Sequence, residues 1–171
     1  MSRSGYTDYE GYDGQFAMWR GQVRNATRGK RGQKFFRDLV AALDAMPVKR
    51  LTANALQEPD GVCAAATYQA GVDPALSPCA IGAVGQARGV DMAWFDPEQA
   101  EDDPSYVAGK LGAQFDIAYQ LALEVQYMND EGSVGVRVPD PTVSWGYRYR
   151  DETPEERWTR MRAWAAKQIA K

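Results

Sequence analysis

The chain contains no histidine, and that absence removes much of ordinary enzyme chemistry. Histidine is the commonest general base, so triads of the Ser-His-Asp or Cys-His kind are excluded. Cysteine is scarce as well: Cys63 and Cys79 are the only two, and two thiolates without imidazole leave a tetrahedral zinc site half filled. Both stand in Ala-rich surroundings, which fits buried, reduced thiols acting as small hydrophobes. No run approaches the ~20 consecutive apolar residues of a membrane span. The N-terminal MSRSGYTDYEGYDG lacks the apolar centre of a signal peptide, so a cytoplasmic location is expected. A large net charge is missing too, since 20 Lys and Arg stand against 23 Asp and Glu, a net of −3 at pH 7. Nucleic-acid binding by bulk positive charge is excluded, and only a local patch stays open.

What is present is an ordinary globular balance, 44% hydrophobic and 25% charged residues in 171, enough for one domain with a real core. The charge is segregated along the chain. Arg20, Arg24, Arg28, Lys30, Arg31, Lys34 and Arg37 occur with no acid between them. From Gln57 to Ser105 the acids Glu58, Asp60, Asp73, Asp91, Asp96, Glu98, Glu101, Asp102 and Asp103 face the single cation Arg88. Either the two regions pair internally or they are surfaces for different partners.

Residues 1–14, rich in Gly, Tyr and Asp, read as a flexible lead-in. From Gln15 the apolar positions Phe16, Trp19 and Val23 recur at helical spacing, predicting a helix to about Thr27 with Arg20, Arg24 and Arg28 on one ridge. Gly29 and Gly32 read as breaks, with Gly32-Gln33 opening a second helix through Phe35, Phe36, Leu39, Val40, Leu43 and Met46 that Pro47 stops. Residues 48–56 are ambiguous between strand and loop. Ser77-Pro78, Asp96-Pro97, Asp103-Pro104 and Thr153-Pro154 each pair an N-cap acceptor with proline at the first helical position, predicting four helix starts. The first of these helices runs to Gly89, the second spans 97–102 and the third ends at Gly112. A further helix is predicted over 116–129. Val134, Val136 and Val138, then Val143, Trp145, Tyr147 and Tyr149, alternate with period two and predict a β-hairpin within 133–150. Thr153-Pro154-Glu155-Glu156 is a capping box leading into a helix with Trp158, Met161, Ala165 and Ile169 on one face and Trp164 at its border.

Three patterns bear on function. RGKRGQ is not a phosphate-binding P-loop, because the preceding segment is helical and no hydroxyl residue follows a Gly-Lys pair. The seven cations of 20–37 read either as a solvated face around an interhelical turn or as a phosphate contact, in which Arg and Lys act with the N–H groups of a helix N-terminus. Trp145, Tyr147 and Tyr149 alternate with Arg148 and Arg150. The simpler expectation is that these aromatics cover the helical core while the arginines meet solvent, and the sharper one is a protein-binding or base-stacking face. Asp96, Glu98, Asp102 and Asp103 offer oxygen ligands to magnesium, yet three of them are explained as caps or first-turn acids. No metal site and no cofactor is therefore expected.

RGKRGQKFFRDLVAALDAMPVKRL (28–51), AIGAVGQARGVDM (80–92), and YMNDEG (127–132) with ETPEERWTRMRAWAAKQI (152–169) together resemble a group of small, uncharacterised proteins of tailed bacteriophages and prophages. The resemblance covers about half the chain and implies context alone, an intracellular phage product in a host cell. It carries over no functional residue. Extra residues at 64–78 and 133–150 depart from that group, and insertions of this kind map to surface loops.

The expected molecule is mainly α, a single compact helical domain over 15–171 of about six helices, with a small β-hairpin appendage inserted at 133–150. The expected role is that of a non-enzymatic accessory protein that binds nucleic acid or a host nucleoprotein complex through the basic 20–37 face, without membrane association. The alternative is a protein-directed inhibitor of a host defence or replication factor, acting in anti-defence or host takeover through the acidic 91–103 region or the hairpin. A metal-dependent nuclease or nucleotide-processing enzyme stands third.

Overall fold

A computed structural model describes residues 13–53, 57–58, 77–90, 104–138 and 146–170. The fold is mainly α with a small antiparallel hairpin, as the periodicities predict. Helix α1 spans Asp13–Arg28 and α2 spans Lys30–Ala45. On α2 the residues Phe35, Phe36, Leu39, Ala42 and Leu43 are buried, the one-sided stripe that an i, i+4, i+7 pattern produces. The helix stops at Ala45, ahead of Pro47, because the residue before a proline is pushed out of the helical region. Lys49 Nζ then donates to the carbonyls of Leu43 and Asp44 at 3.2 and 2.5 Å, and Trp158 Nε1 donates to Leu43 O at 3.2 Å.

Gly32 is not a break. Gly29 alone joins the two helices, as the extended N-cap of α2, and Gly32 lies inside that helix. A Cβ at Gly32 would stand 2.1 Å from the carbonyl oxygen of Ala26, so glycine is required by the close crossing of α1 and α2 rather than by a turn.

Residues 46–53 form neither helix nor strand, and 54–56 lie outside the described residues. Leu51 N donates to Pro154 O and Thr52 N to Pro78 O, at 3.0 and 3.2 Å. A two-residue ladder pairs β1 (Gln57–Glu58) with β2 (Ser77–Pro78). Helix α3 spans Ala80–Arg88, which corrects the start expected at Ser77-Pro78. Those two residues are held extended by the ladder and by Thr52, and the cap is Cys79, whose Sγ accepts from Gly82 N at 3.3 Å. The helix closes at Gly89 in the left-handed conformation, φ 63°, where glycine carries no steric penalty.

The helix expected at 97–102 lies outside the described residues. Helix α4 spans Pro104–Phe115, running past Gly112, whose missing side chain lets Ile117 O approach. Asp116 takes φ 53° and Ala118 is extended, so α5 starts at Tyr119, not at 116, and runs to Asp130. Strands β3 (Ser133–Val138) and β4 (Gly146–Asp151) pair antiparallel from Ser133↔Asp151 to Val138↔Gly146. Helix α6 spans Pro154–Gln168 behind the capping box of Thr153 and Glu156. Arg150 adds two bonds to the Glu156 carboxylate, at 2.7 and 2.6 Å. Together with the Thr153 backbone N–H, these hold the Glu156 pKa down to about 2.

The core gathers around α2. Phe35, Phe36, Phe115 and Trp164 meet edge to face, with centroids 5.3 to 6.3 Å apart, and Leu111, Leu121 and Met161 are fully buried beside them. Arg88 ties α3 to α2 by donating twice to Asp38, at 2.9 and 2.6 Å, and to α4 through Phe115 O. No helix among the described residues is long and apolar enough to cross a membrane.

The polar hub of the fold is Asn129, 2% exposed. Its Oδ1 accepts from Ala80 N at 3.0 Å and its Nδ2 donates to Thr52 O at 2.8 Å. Beside it, Arg160 donates to both oxygens of buried Glu152 and to the carbonyls of Met128 and Asn129. Asn129→Ala strips partners from the Ala80 N–H and the Thr52 carbonyl, and a buried group left unpaired costs its desolvation. The expected loss is about 2–4 kcal/mol in urea unfolding followed by circular dichroism. A loss below about 1 kcal/mol would mean that water takes over both bonds.

Candidate nucleic-acid interface

The structure divides the seven cations of 20–37. Arg20, Arg24 and Arg28 line one side of a groove of about 770 Å³, all three exposed along α1. Across from them stand Lys167, Gln168, Ile169 and Ala170 from the end of α6, and Glu124 of α5. Trp19, Val23, Thr27 and Gln33 complete the lining. Four cations and one buried carboxylate, Glu124, thus share the groove.

Gln33 holds the end of this groove together. Its Nε2 donates to Thr27 O at the end of α1 and to Gln168 O at the end of α6, at 2.8 and 2.9 Å, and its Oε1 accepts from Ala170 N at 2.7 Å. Two helix C-termini converge on one side chain. Their negative ends favour cations in the last turns, which is where Arg28 and Lys167 lie.

The remaining cations face elsewhere. Arg31 reaches Asp116 Oδ1 at 3.0 Å, with both side chains more than 60% exposed, and an exposed pair of this kind contributes ~0–1 kcal/mol. Lys34 reaches Asp38 at 2.8 Å. Burial pushes the Asp38 pKa up, but the hydrogen bonds and charges of Lys34 and Arg88 outweigh it and leave the carboxyl below its ordinary value. Lys30 and Arg37 are exposed, and among the described residues Arg24, Arg28, Lys30 and Arg37 enter no ion pair. The N-terminus of α2 was expected at Gly32-Gln33 but opens at Lys30. It carries no acid in its first turn and no side-chain cap from Gly29, so its first N–H groups have no side-chain acceptor from the cap position.

The second candidate surface is less complete. Trp145 lies outside the described residues, as does the side chain of Tyr147. Tyr149 is 75% exposed, so it does not cover the helical core as the simpler expectation had it. The register sets Arg148 opposite Val136 and Arg150 opposite Val134, with Tyr149 opposite Gly135. Arginines and valines therefore share one face and Tyr149 takes the other. The acidic stretch 91–103 and Cys63 lie outside the described residues. Among the described residues no three acids or cysteines assemble to hold a metal ion, and Cys79 is buried.

The sequence reading missed Lys167 and Glu124. Lys167 carries a signal only as the last-turn cation of α6, since its position across from α1 depends on a packing more than a hundred residues apart in sequence. No protein-family model, curated protein or solved structure matches the chain significantly.

Because Arg24 and Arg28 stand on the rim without ion pairs, the double substitution Arg24→Gln, Arg28→Gln is expected to change stability by no more than about 0.5 kcal/mol in urea unfolding. A loss above about 2 kcal/mol would assign the ridge to the fold rather than to a partner.

Proposed function

We propose that this protein acts by binding, without catalysis, and that it engages the phosphates of a nucleic acid, free or within a nucleoprotein complex, through the arginine ridge of α1. The observation that carries this reading is the groove itself. Arg20, Arg24 and Arg28 border it, Lys167 stands across from them, and Arg24 and Arg28 have no ion pair among the described residues. Core packing does not account for a cationic rim of this kind, whereas phosphate does, because Arg and Lys at a concave rim position a backbone without reading its sequence. A net charge of −3 confines the positive field to the patch and makes the interaction local. A phage accessory role in a host cell fits the resemblance of the helical segments and is part of the same proposal.

A protein-directed role, as an inhibitor of a host factor, is favoured by one observation, the 75% exposure of Tyr149 on the ribbon, since tyrosine beside arginine is typical of binding hot spots. Under that reading naked nucleic acid stays unbound.

The test is a salt titration of binding to a labelled oligonucleotide. Contact of the four groove cations with phosphates gives a log–log slope of about −2.8 to −3.6, from roughly −0.7 to −0.9 per phosphate. Arg24→Gln with Arg28→Gln should weaken binding and make the slope shallower by about 1.4 to 1.8. An affinity that ignores salt, or that survives this double substitution unchanged, would overturn the reading.

A further inference from the structure

The ribbon of β3 and β4 has two outer edges. Its register pairs run from Ser133↔Asp151 to Val138↔Gly146. Among the described residues no further strand joins it, and no backbone bond from another segment reaches 133–138. An antiparallel strand turns only alternate residues' N–H and C=O groups toward its neighbour, so the rest of β3 faces outward as a template for one more strand. A two-stranded hairpin by itself is marginal in water, whereas three or more strands with an apolar face are stable.

The two edges differ in what guards them. Natural edge strands resist pairing through charged side chains, proline or bulges. A twofold axis perpendicular to a sheet sets residues that share a face opposite each other. For β4, GYRYRD, self-pairing about Tyr149 puts Arg148 against Arg150 of the second copy, and self-pairing about either arginine puts that arginine against itself. Like charges directly opposite are destabilising. For β3, SVGVRV, self-pairing about Gly135 puts Val134 against Val136 of the second copy, Gly135 against Gly135 and Ser133 against Arg137. No like charges meet. Val136 is 40% exposed and Gly135 is exposed beside it, so both are open at this edge.

We propose that two copies of this chain pair through β3 about a twofold axis at Gly135, joining their ribbons into a four-stranded antiparallel sheet in the order β4-β3-β3-β4. The proposal is independent of the phosphate reading and outlives its failure. The contact is isologous, so one register satisfies the outward backbone groups of both copies at once. On one face Val134 and Val136 of each copy form two cross-strand pairs of β-branched residues, the kind that stabilises sheets. At the axis Gly135 lets the two backbones approach. Tyr149 lies opposite Gly135 in each ribbon, and an aromatic across from an edge glycine compensates for its missing side chain. The six residues of β3 are fewer than the ~20–30 a side of a standard interface, so the dimer is weak and forms at high concentration.

Sedimentation velocity of the full chain between about 5 µM and about 1 mM tests this, because association follows mass action. The expected result is monomer at the low end and dimer at the high end, with a dissociation constant between roughly 10 µM and 1 mM. Val136→Glu places a carboxylate at the seam but beside Arg148 of its own ribbon. It should weaken the dimer at least about tenfold while leaving the circular dichroism spectrum unchanged. In an equimolar mixture of ¹³C-labelled and unlabelled protein, isotope-filtered NOEs should connect the methyl groups of Val134 and Val136 between copies. A chain that stays monomeric at about 1 mM overturns the proposal and leaves the β3 edge to a strand of another protein. A dimer unmoved by Val136→Glu, or one without those NOEs, also overturns it, because another surface then holds the copies together. Should Val136→Glu fail to give the native spectrum, the NOEs decide. Their presence supports the proposal, and their absence refutes it.

Discussion

The buried side-chain amide of Gln33 brings three stretches of chain to one point. It binds the last carbonyls of α1 and α6 and the N–H of Ala170, and with only 8% of its surface exposed it works where each bond has little competition from water. Those bonds tie the end of α6 to the end of α1. The groove exists because they meet there, and the cations of the two last turns face each other across it as a consequence. The close crossing at Gly32 belongs to the same constraint. A carbonyl of α1 occupies the space where any other residue would place a Cβ, so Gln33, one position later, is delivered within reach of Thr27.

The arrangement is electrostatically unusual for an anion site. Anions are commonly bound at helix N-termini, where N–H groups point outward. Here the groove lies at two C-termini, whose partial negative charge is offset by Arg28 and Lys167. Under the proposed reading the cations serve the fold first and are then available to a ligand, so the two readings of the basic stretch are compatible. Arg28 and Lys167 stabilise helix ends, while Arg24 lies a full turn inside α1 and has no helix end to serve. On the far side, Arg31 and Lys34 meet Asp116 and Asp38, so the continuous run of cations in sequence becomes two separate faces in space.

Local chemistry in this chain was legible and distant packing was not. The Thr153 capping box, the left-handed Gly89 and the stripe Phe35, Phe36, Leu39, Leu43 were visible as patterns because each depends on residues within one or two turns. Gly32 misled because a glycine needed for a helix crossing looks the same in sequence as one needed for a turn. Ser77-Pro78 misled because pairing with Gln57–Glu58 keeps it extended, and the cap passes to Cys79, whose sulfur is an uncommon acceptor. Tyr149 read as core cover because alternation tells which face a residue takes and not whether anything packs on that face. Of the groove, the arginine ridge was readable from its i, i+4 spacing. The opposing lysine and the buried Glu124 come from elements distant in sequence, and no local rule could have joined them.

What would distinguish the groove from a merely charged surface is a ligand that engages both of its cationic sides. The most direct measurement follows the side-chain NMR signals of the ¹⁵N-labelled protein as a single-stranded oligonucleotide is added. The Gln33 side-chain amide should shift together with the Nε signals of Arg24 and Arg28, while the indole of Trp158, bonded to Leu43 O, stays in place. Signals of Arg24, Arg28 and Gln33 that all stay unmoved at saturation would contradict a ligand seated in the groove.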